Sequence, residues 1–477
     1  MHPAEPAIPS AQWWGSPAAW PDVKGWRVHT IEDVPTAPGA LPGVGHLHLL
    51  AGRRLRFLES LPGVGPLVRI RLGTAPVYVV TDPVLVHQVQ SSKGRSFGRG
   101  KQFERMIPLL GHGVITSDGE LYHRQRRVIQ KAFTPAHIER HVASIHRRTK
   151  ESCADWKPGR PVDVLEVMKA LSVAVTAETL FSNRLPEGVL AQLHRVLPVI
   201  ERAAVERPML PKVVDRLPLP YVRRGDEAMA RMRALVDEAV AACRERSPEG
   251  GGDVVAHLLA ARDPDTGRPL ADDLIRDEVI AMLIGGVANV PTTLSWAWYH
   301  LALRPGAERR MLAEIAGIAG TAEPGHAVTT STDPRALPYT RAVMYEAMRL
   351  HSVQLVTQRT TAAVELGGFM LPSGTDTAYS QHSLHTDPRF CRRPEAFSPE
   401  RWLPGSDWKP PRHSFVPFGG GRFKCIGDNF AVAEMMATLV AVGGSWRLTL
   451  RPDTRVRTSL REPIPGPRGL MLVPEPI

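Results

Sequence analysis

Residues 418–427 read Phe-Gly-Gly-Gly-Arg-Phe-Lys-Cys-Ile-Gly and run straight into a helix-like stretch from Asp428 to Val442. This junction restricts the fold more than any other part of the chain. A cysteine is ordinarily a small buried apolar residue, a role that asks for no glycines around it. Here Cys425 is flanked by Gly419, Gly420, Gly421 and Gly427. Glycine permits φ > 0 and lets backbone approach a flat ligand closely. A helix entrance adds unpaired N–H groups and the positive end of the dipole, both of which favour a thiolate. A thiolate held in this way suits a haem iron, onto which it pushes electron density that favours O–O cleavage. The plain alternative is a core cysteine.

Composition narrows the class. The chain has 477 residues, 43% hydrophobic and 22% charged, ordinary for a globular protein with a sizeable core. Cys153, Cys243, Cys391 and Cys425 are scattered without CxxC spacing, which fits a reducing cytosol better than a disulfide framework. No uninterrupted apolar run reaches the ~18 residues of a membrane span, and residues 1–41 carry no basic-then-apolar leader. A cytoplasmic protein with no membrane span is therefore expected. The formal net charge is +11, but no basic tail or basic–aromatic repeat accompanies it, so nucleic acid is not an expected partner. A basic docking face for an acidic electron donor is a narrower reading of the same charge.

Along the chain, residues 1–40 are rich in Pro, Ala and Gly and are expected to be irregular, leaving 41–477 as a single domain. Val68, Ile70 and Leu72 alternate with Arg69 and Arg71, the period-2 pattern of a half-buried strand. A turn at Gly73–Pro76 and the run Val77–Val80 complete a hairpin. From Glu120 to about Trp408 the periodicity is mostly helical, and short apolar runs return at Trp446–Leu450 and Leu470–Val473. The expected fold is mainly α with a minor β portion.

The stretch 418–427 resembles the haem-ligand loop of the cytochrome P450 family, Phe-x-x-Gly-x-Arg/His-x-Cys-x-Gly. The resemblance implies that Cys425 is the iron's axial ligand and that Phe418, Gly421 and Gly427 bind the cofactor beside it. Phe423 stands where the family has a basic residue for a haem propionate, and Arg422 is the neighbouring substitute. Tyr122-His-Arg-Gln-Arg126 occupies the place of the family's Trp/His-x-x-x-Arg; Tyr122 departs from that pattern but keeps a hydroxyl donor, and the resemblance implies that Arg126 is a propionate clamp. The alternative is a solvated basic helix face. Arg359 is a second propionate candidate by the same analogy. Glu346 and Arg349 lie at i and i+3 on a helix beginning near Pro338, and Pro399-Glu-Arg401 follows, with Arg401 24 residues before Cys425. This order is similar to the family's Glu-x-x-Arg and Pro-Glu-Arg segments. It implies that Glu346, Arg349 and Arg401 form a buried structural network behind the haem. Alone, the first pair would be an exposed ion pair worth little.

The expected distal helix, Asp277 to Leu303, contains Gly285-Gly286-Val-Ala288-Asn289-Val-Pro291-Thr292-Thr293. Aligned on Gly286 and Trp296, it resembles the family's oxygen-binding helix, Ala/Gly-Gly-x-Asp/Glu-Thr. Gly285 and Gly286 match. Ala288 replaces the acid and Asn289 the alcohol, while Thr292 and Thr293 come at least three residues too late for that spot. The acid–alcohol pair delivers protons during dioxygen reduction, a general-acid task; asparagine can hydrogen-bond but not titrate. Pro291 lacks an N–H for the Val287 carbonyl and kinks the helix.

The resemblance implies a haem b monooxygenase that takes one oxygen atom from O2. The chain has no Gly-x-Gly-x-x-Gly and no iron–sulfur cysteine spacing, so electrons come from a separate partner of the ferredoxin and ferredoxin reductase type. By analogy the pocket is lined by the segment after Ser96, the Gly285 region, Ser352–Val356 and the loop Pro463–Pro467. That favours a small lipophilic substrate, with a terpenoid or other secondary metabolite in view, and a monomer. Two rivals stay open. One is a haem-thiolate enzyme of atypical chemistry (phenol coupling, rearrangement or peroxide-driven oxidation), supported by the missing acid–alcohol pair. The other is a non-catalytic haem sensor.

Overall fold

The computed structural model describes residues 29–477, apart from 183–184, 208–218, 246–252, 320–335, 452, 461 and 463. Of the expected irregular segment 1–40, residues 1–28 lie outside the described residues. From His29 onward the chain runs along the β portion: Arg69 donates its N–H to Pro35 O at 2.8 Å and Ala37 donates to Arg69 O at 2.9 Å.

Helices make up most of the body. Helix Val164–Phe181 starts at Asp163, whose carboxylate accepts from the Glu166 N–H at 3.2 Å, a side-chain N-cap. Twelve of its side chains are buried on nearly every side, as expected of a helix that is apolar all round. It packs against helix Val290–Ala302, and its Val164, Met168, Leu171 and Val175 belong to one apolar cluster with Leu294, Trp298 and Leu301 of that helix and with Met436 and Leu439 of helix Asp428–Gly443. Truncating a fully buried residue such as Leu171 costs about 2–5 kcal/mol. A second apolar cluster joins helices Val189–Glu206, Pro220–Glu245 and Asp272–Ala288.

The expected hairpin is present as strands Leu67–Leu72 and Ala75–Val80, which form one side of a five-stranded sheet. Strand Asp376–Tyr379 pairs parallel to the second of these, and Val356–Thr360 and Phe97–Arg99 follow antiparallel. In this register Gly98 faces Arg359 and Arg99 faces Gln358. The apolar runs near the C-terminus are strands Trp446–Leu450 and Met471–Pro476, paired antiparallel.

The distal helix departs from the expected single span. It is two helices, Asp272–Ala288 and Val290–Ala302, broken at Asn289 (φ −103°, ψ −39°). Pro291 has no N–H to offer the preceding turn, and the ladder resumes where Thr293 N–H donates to Asn289 O at 3.0 Å. Together the two pieces span 31 residues and contain an 18-residue window of mean hydropathy 1.4, apolar enough to cross a membrane, yet 72% of that window is buried inside the protein. Core helices share this composition with spans.

Candidate active site

The break in the distal helix faces the cysteine loop across a cavity. Including its mouth and the solvent in it, the cavity holds about 1440 Å³ of non-atom space. Gly285, Gly286, Asn289 and Thr293 line one wall, and Phe418, Phe423, Cys425 and Gly427 another. The sequence-predicted pocket segments meet here: Arg99, Val114 and Ile115 from the stretch after Ser96, Ser352 and Val353, and Ile464 from the last loop. Residue 463 lies outside the described residues.

Cys425 opens onto this cavity, while Cys153, Cys243 and Cys391 are buried elsewhere. Its own N–H donates to Phe418 O at 2.9 Å, which closes the loop. Burial pushes its thiol up; the Gly427 N–H, Arg126 and Lys424 pull the other way. The helix entrance therefore helps the thiolate without overcoming burial; a bound iron would complete the ionisation, since a coordinating thiol loses its proton outright. Gly421 shows the expected positive φ and answers a second need as well. Gly421 has φ +60°, and a Cβ there would sit 1.5 Å from Gln90 O. The loop is glycine-rich at this point because it lies on the Gln90–Ser91 backbone. Gly421 does not line the cavity.

Tyr122 and Arg126, four apart on helix Gly119–Ile129, both reach the cavity. Arg126 Nη1 donates to the Tyr122 hydroxyl at 2.7 Å and to Lys424 O at 2.6 Å. The hydroxyl in turn donates to Arg422 O at 2.5 Å, so its proton serves the loop. Arg422 itself turns away. Its Nη2 meets Asp118 Oδ1 at 2.6 Å, and it is not part of the cavity lining.

Arg359 is also not brought to the site. It pairs with Asp376 at 3.2 Å and Glu104 at 3.8 Å. The reason is the pleat: residues facing each other across a ladder share a side of the sheet, and successive residues alternate. Arg359 therefore shares its side with Gly98 and Asp376, while Arg99, opposite Gln358, projects from the other side into the cavity. Sequence reasoning missed Arg99. Its guanidinium lies 4.3 Å from the Phe423 ring centroid and 5.4 Å from that of Tyr122, and Nη2 donates to Val114 O at 3.1 Å. Burial lowers its pKa to about 10, against the opposing pull of Tyr122 and Asp118.

These observations test whether the residues fit a haem. Among the described residues neither Arg99 nor Arg126 has a carboxylate partner within ion-pair distance. Two unneutralised guanidiniums lining an apolar cavity, both half-buried, suit two carboxylate tails. The thiol at the cavity wall suits iron. The residues fit.

Two further features were invisible in the sequence. His351 lines the cavity, stacks on Trp296 with centroids 3.8 Å apart, and meets His300 Nε2 to Nε2 at 2.9 Å. Burial holds both imidazoles neutral, His300 near pKa 3. Thr293 also lines the cavity, although linear alignment sets it too far along the helix.

Glu346, Arg349 and Arg401 come together outside the cavity, all buried. Arg349 Nε and Nη2 reach the two Glu346 oxygens at 2.9 and 2.8 Å, and Arg401 Nε reaches Oε1 at 2.9 Å. On the distal side Asn289 Oδ1 is buried and has no hydrogen-bond partner among the described residues.

With this geometry in place, the chain can be compared with known proteins. The family model described as Cytochrome P450 matches residues 35–477. Cyclooctatin synthase of Streptomyces melanosporofaciens is 38% identical over 462 residues, covering 96% of this chain and 98% of the relative. Pentalenene oxygenase of Streptomyces avermitilis is 32% identical over 439 residues, covering 92% and 96%. The crystal structure of the cytochrome P450DA heme domain superposes with a TM-score of 0.80 at 22% identity, covering 93% of this chain and 98% of that one. A thiol and two free guanidiniums around one cavity, on this fold and with these relatives, place the chain in the cytochrome P450 family of haem-binding oxidoreductases.

Proposed function

We propose that this protein is a monooxygenase that inserts one atom of O2 into a small lipophilic terpenoid, with Cys425 as the axial ligand of haem b. The observation that carries the proposal is the Cys425 side chain opening into a cavity whose facing wall is the Gly285–Gly286 pair. The bound haem supplies dioxygen activation, which no side chain here can perform. The chain's residues do the rest. Arg99 and Arg126 hold the carboxylate tails, and Val114, Ile115, Leu180, Met282 and Ile464 receive the terpenoid and exclude water. Terpenoid substrates are named for relatives such as cyclooctat-9-en-7-ol 5-monooxygenase of Streptomyces melanosporofaciens, 38% identical over 421 residues. Electrons arrive from a ferredoxin and its reductase, steered by the net positive charge. We take residues 41–477 as one domain acting as a monomer in the cytosol, where Cys153, Cys243 and Cys391 stay reduced.

A second reading, atypical haem-thiolate chemistry, has one observation in its favour, the loss of the acid–alcohol pair at Ala288 and Asn289. Product formation from polycyclic terpenes separates the two. The proposal expects product with ferredoxin, reductase, NAD(P)H and O2; product with peroxide alone supports the second reading.

Asn289 lines the cavity, and its Oδ1 is buried without a hydrogen-bond partner among the described residues. Removing it leaves substrate affinity nearly intact, because the interaction acts during dioxygen reduction and not on binding. Asn289→Ala is expected to raise the peroxide released per NAD(P)H consumed several-fold. Product, peroxide and reductant measured together check this, and unchanged coupling takes Asn289 out of the mechanism.

A further inference from the structure

Glu278 is 1% exposed on helix Asp272–Ala288 and does not line the cavity. It lies on the cavity side of that helix all the same: Met282 and Gly285, which do line the cavity, follow at i+4 and i+7 on the same face. The turn 111–117 covers it. This turn belongs to no helix or strand and carries Val114 and Ile115, two residues of the cavity wall. Glu278 Oε2 accepts from the Val114 N–H at 2.9 Å, while Oε1 is buried without a partner among the described residues.

Outside a helix or strand, buried backbone groups must find other partners. Val114 is held at both ends, its N–H by Glu278 and its carbonyl by Arg99 Nη2 at 3.1 Å. Next to it, the His112 N–H donates to Asp277 Oδ2 at 2.8 Å and the His112 carbonyl accepts from Gln125 Nε2 at 2.6 Å. A Cβ at Gly113 would lie 2.5 Å from Asp277 O and 3.0 Å from Ala281 Cβ, so only glycine lets the turn lie this close to the distal helix. Ile115 is thereby laid beside the Gly285 wall, where an added Cβ on Gly285 would just touch Ile115 Cδ1, at 4.0 Å.

We infer that Glu278 is a positioning residue: from behind the wall it fixes the Val114–Ile115 turn, and through that turn it decides which carbon of the terpenoid is oxidised. This rests on the monooxygenase reading above. Because Glu278 does not line the cavity, it acts on substrate only through the turn. Small displacements are enough, since misplacing a reacting group by about 1 Å can cost about 10²-fold in rate. Burial pushes the Glu278 carboxyl up to about 8, Asp277 adds to this and the Val114 N–H opposes it, so the group is uncharged at neutral pH. A neutral amide of the same shape can therefore stand in for it, and an apolar side chain cannot.

Glu278→Gln keeps an acceptor for the Val114 N–H, and Glu278→Leu keeps the bulk and removes the acceptor. Amide hydrogen exchange on the haem-loaded protein reads that bond directly: Val114 should exchange about tenfold faster in Glu278→Leu and within about twofold of wild type in Glu278→Gln. With a polycyclic terpene, ferredoxin, reductase, NAD(P)H and O2, the leucine variant should change the ratio of oxidised regioisomers by about fivefold and raise KM more than it lowers kcat. Its carbon monoxide spectrum should match wild type, and the glutamine variant should restore the wild-type ratio. Ile115→Ala should shift the same ratio, and adding Glu278→Leu to it should change little more, because both act through one wall. Gly113→Ala, whose Cβ pushes the turn off Asp277, should shift the ratio too and keeps the test open if the leucine variant fails to load haem. Regioisomer ratios unchanged in Glu278→Leu and Gly113→Ala, or a glutamine variant altered as much as the leucine one, overturn the inference. A wild-type protein that oxidises no terpene would sink the function reading instead, so the two failures are distinguishable.

Discussion

Cys425→Ala abolishes the red-shifted Soret band of the ferrous carbon monoxide complex and with it all turnover that depends on O2 and a reductase. The expectation rests on the cavity having one thiol. Cys153, Cys243 and Cys391 are buried in packed regions away from the cavity, and burial holds the Cys153 thiol up to about 12. None can replace Cys425 without refolding the core. The loop raises the thiol's pKa by burial and lowers it through the Gly427 N–H, Arg126 and Lys424. The balance is unfavourable to a free thiolate and favourable to one bound to a cation. Substituting alanine leaves the Phe418–Cys425 backbone bond and the apolar walls in place, so haem can still enter but without sulfur ligation. The variant should therefore remain soluble and retain lipophilic ligand binding. Retention of the red-shifted band would mean that another group ligates the iron.

What could be read in the sequence, and what could not, divides along the kind of interaction. The cysteine loop, Gly285–Gly286 and the Glu346–Arg349 pair are local patterns whose chemistry lies within ten residues, and the structure assembles each of them. Arg99 and Arg359 differ only in which side of a strand they occupy. That is set by register against partners more than 250 positions away in the chain, and a one-residue change of register exchanges their sides. No local pattern carries that information. The same holds for the buried carboxylate of Glu434, whose hydrogen-bond donor Ser172 lies 262 residues away in the chain. The glycines of the cysteine loop were legible as a conformational requirement but not in their cause, because the Gln90 backbone that Gly421 meets is remote in sequence. Pro291 did mark a distortion of the distal helix. The extent of the break, a full interruption at Asn289, depends on packing around the kink.

The buried carboxylate behind the site should be the most damaging position for folding. Glu346 accepts five hydrogen bonds: two from Arg349, one from Arg401, one from the Trp402 indole at 2.8 Å and one from the Ser398 N–H at 2.9 Å. Arg349 spends its other donors on the carbonyls of His385, Pro394 and Ala396. The network thus ties helix Pro338–Leu350 to the segment that leads into the cysteine loop. Glu346→Ala leaves two guanidiniums buried with no counter-charge, at a cost of about 3–5 kcal/mol, a large share of the roughly 5–15 kcal/mol that holds a domain folded. Arg401→Ala and Arg349→Ala strand the carboxylate instead, with a similar penalty. Lysine is a poor replacement for Arg349, since three donors on one nitrogen cannot span both carboxylate oxygens and three carbonyls. Each alanine variant should express with little haem and unfold at markedly lower urea concentration. None of the three residues lines the cavity, so the fraction that does load haem should turn over at close to the wild-type rate per haem. Loss of activity per haem with normal stability would place these residues in the chemistry instead of behind it, and soluble, haem-replete, stable variants would show that the network contributes little to folding.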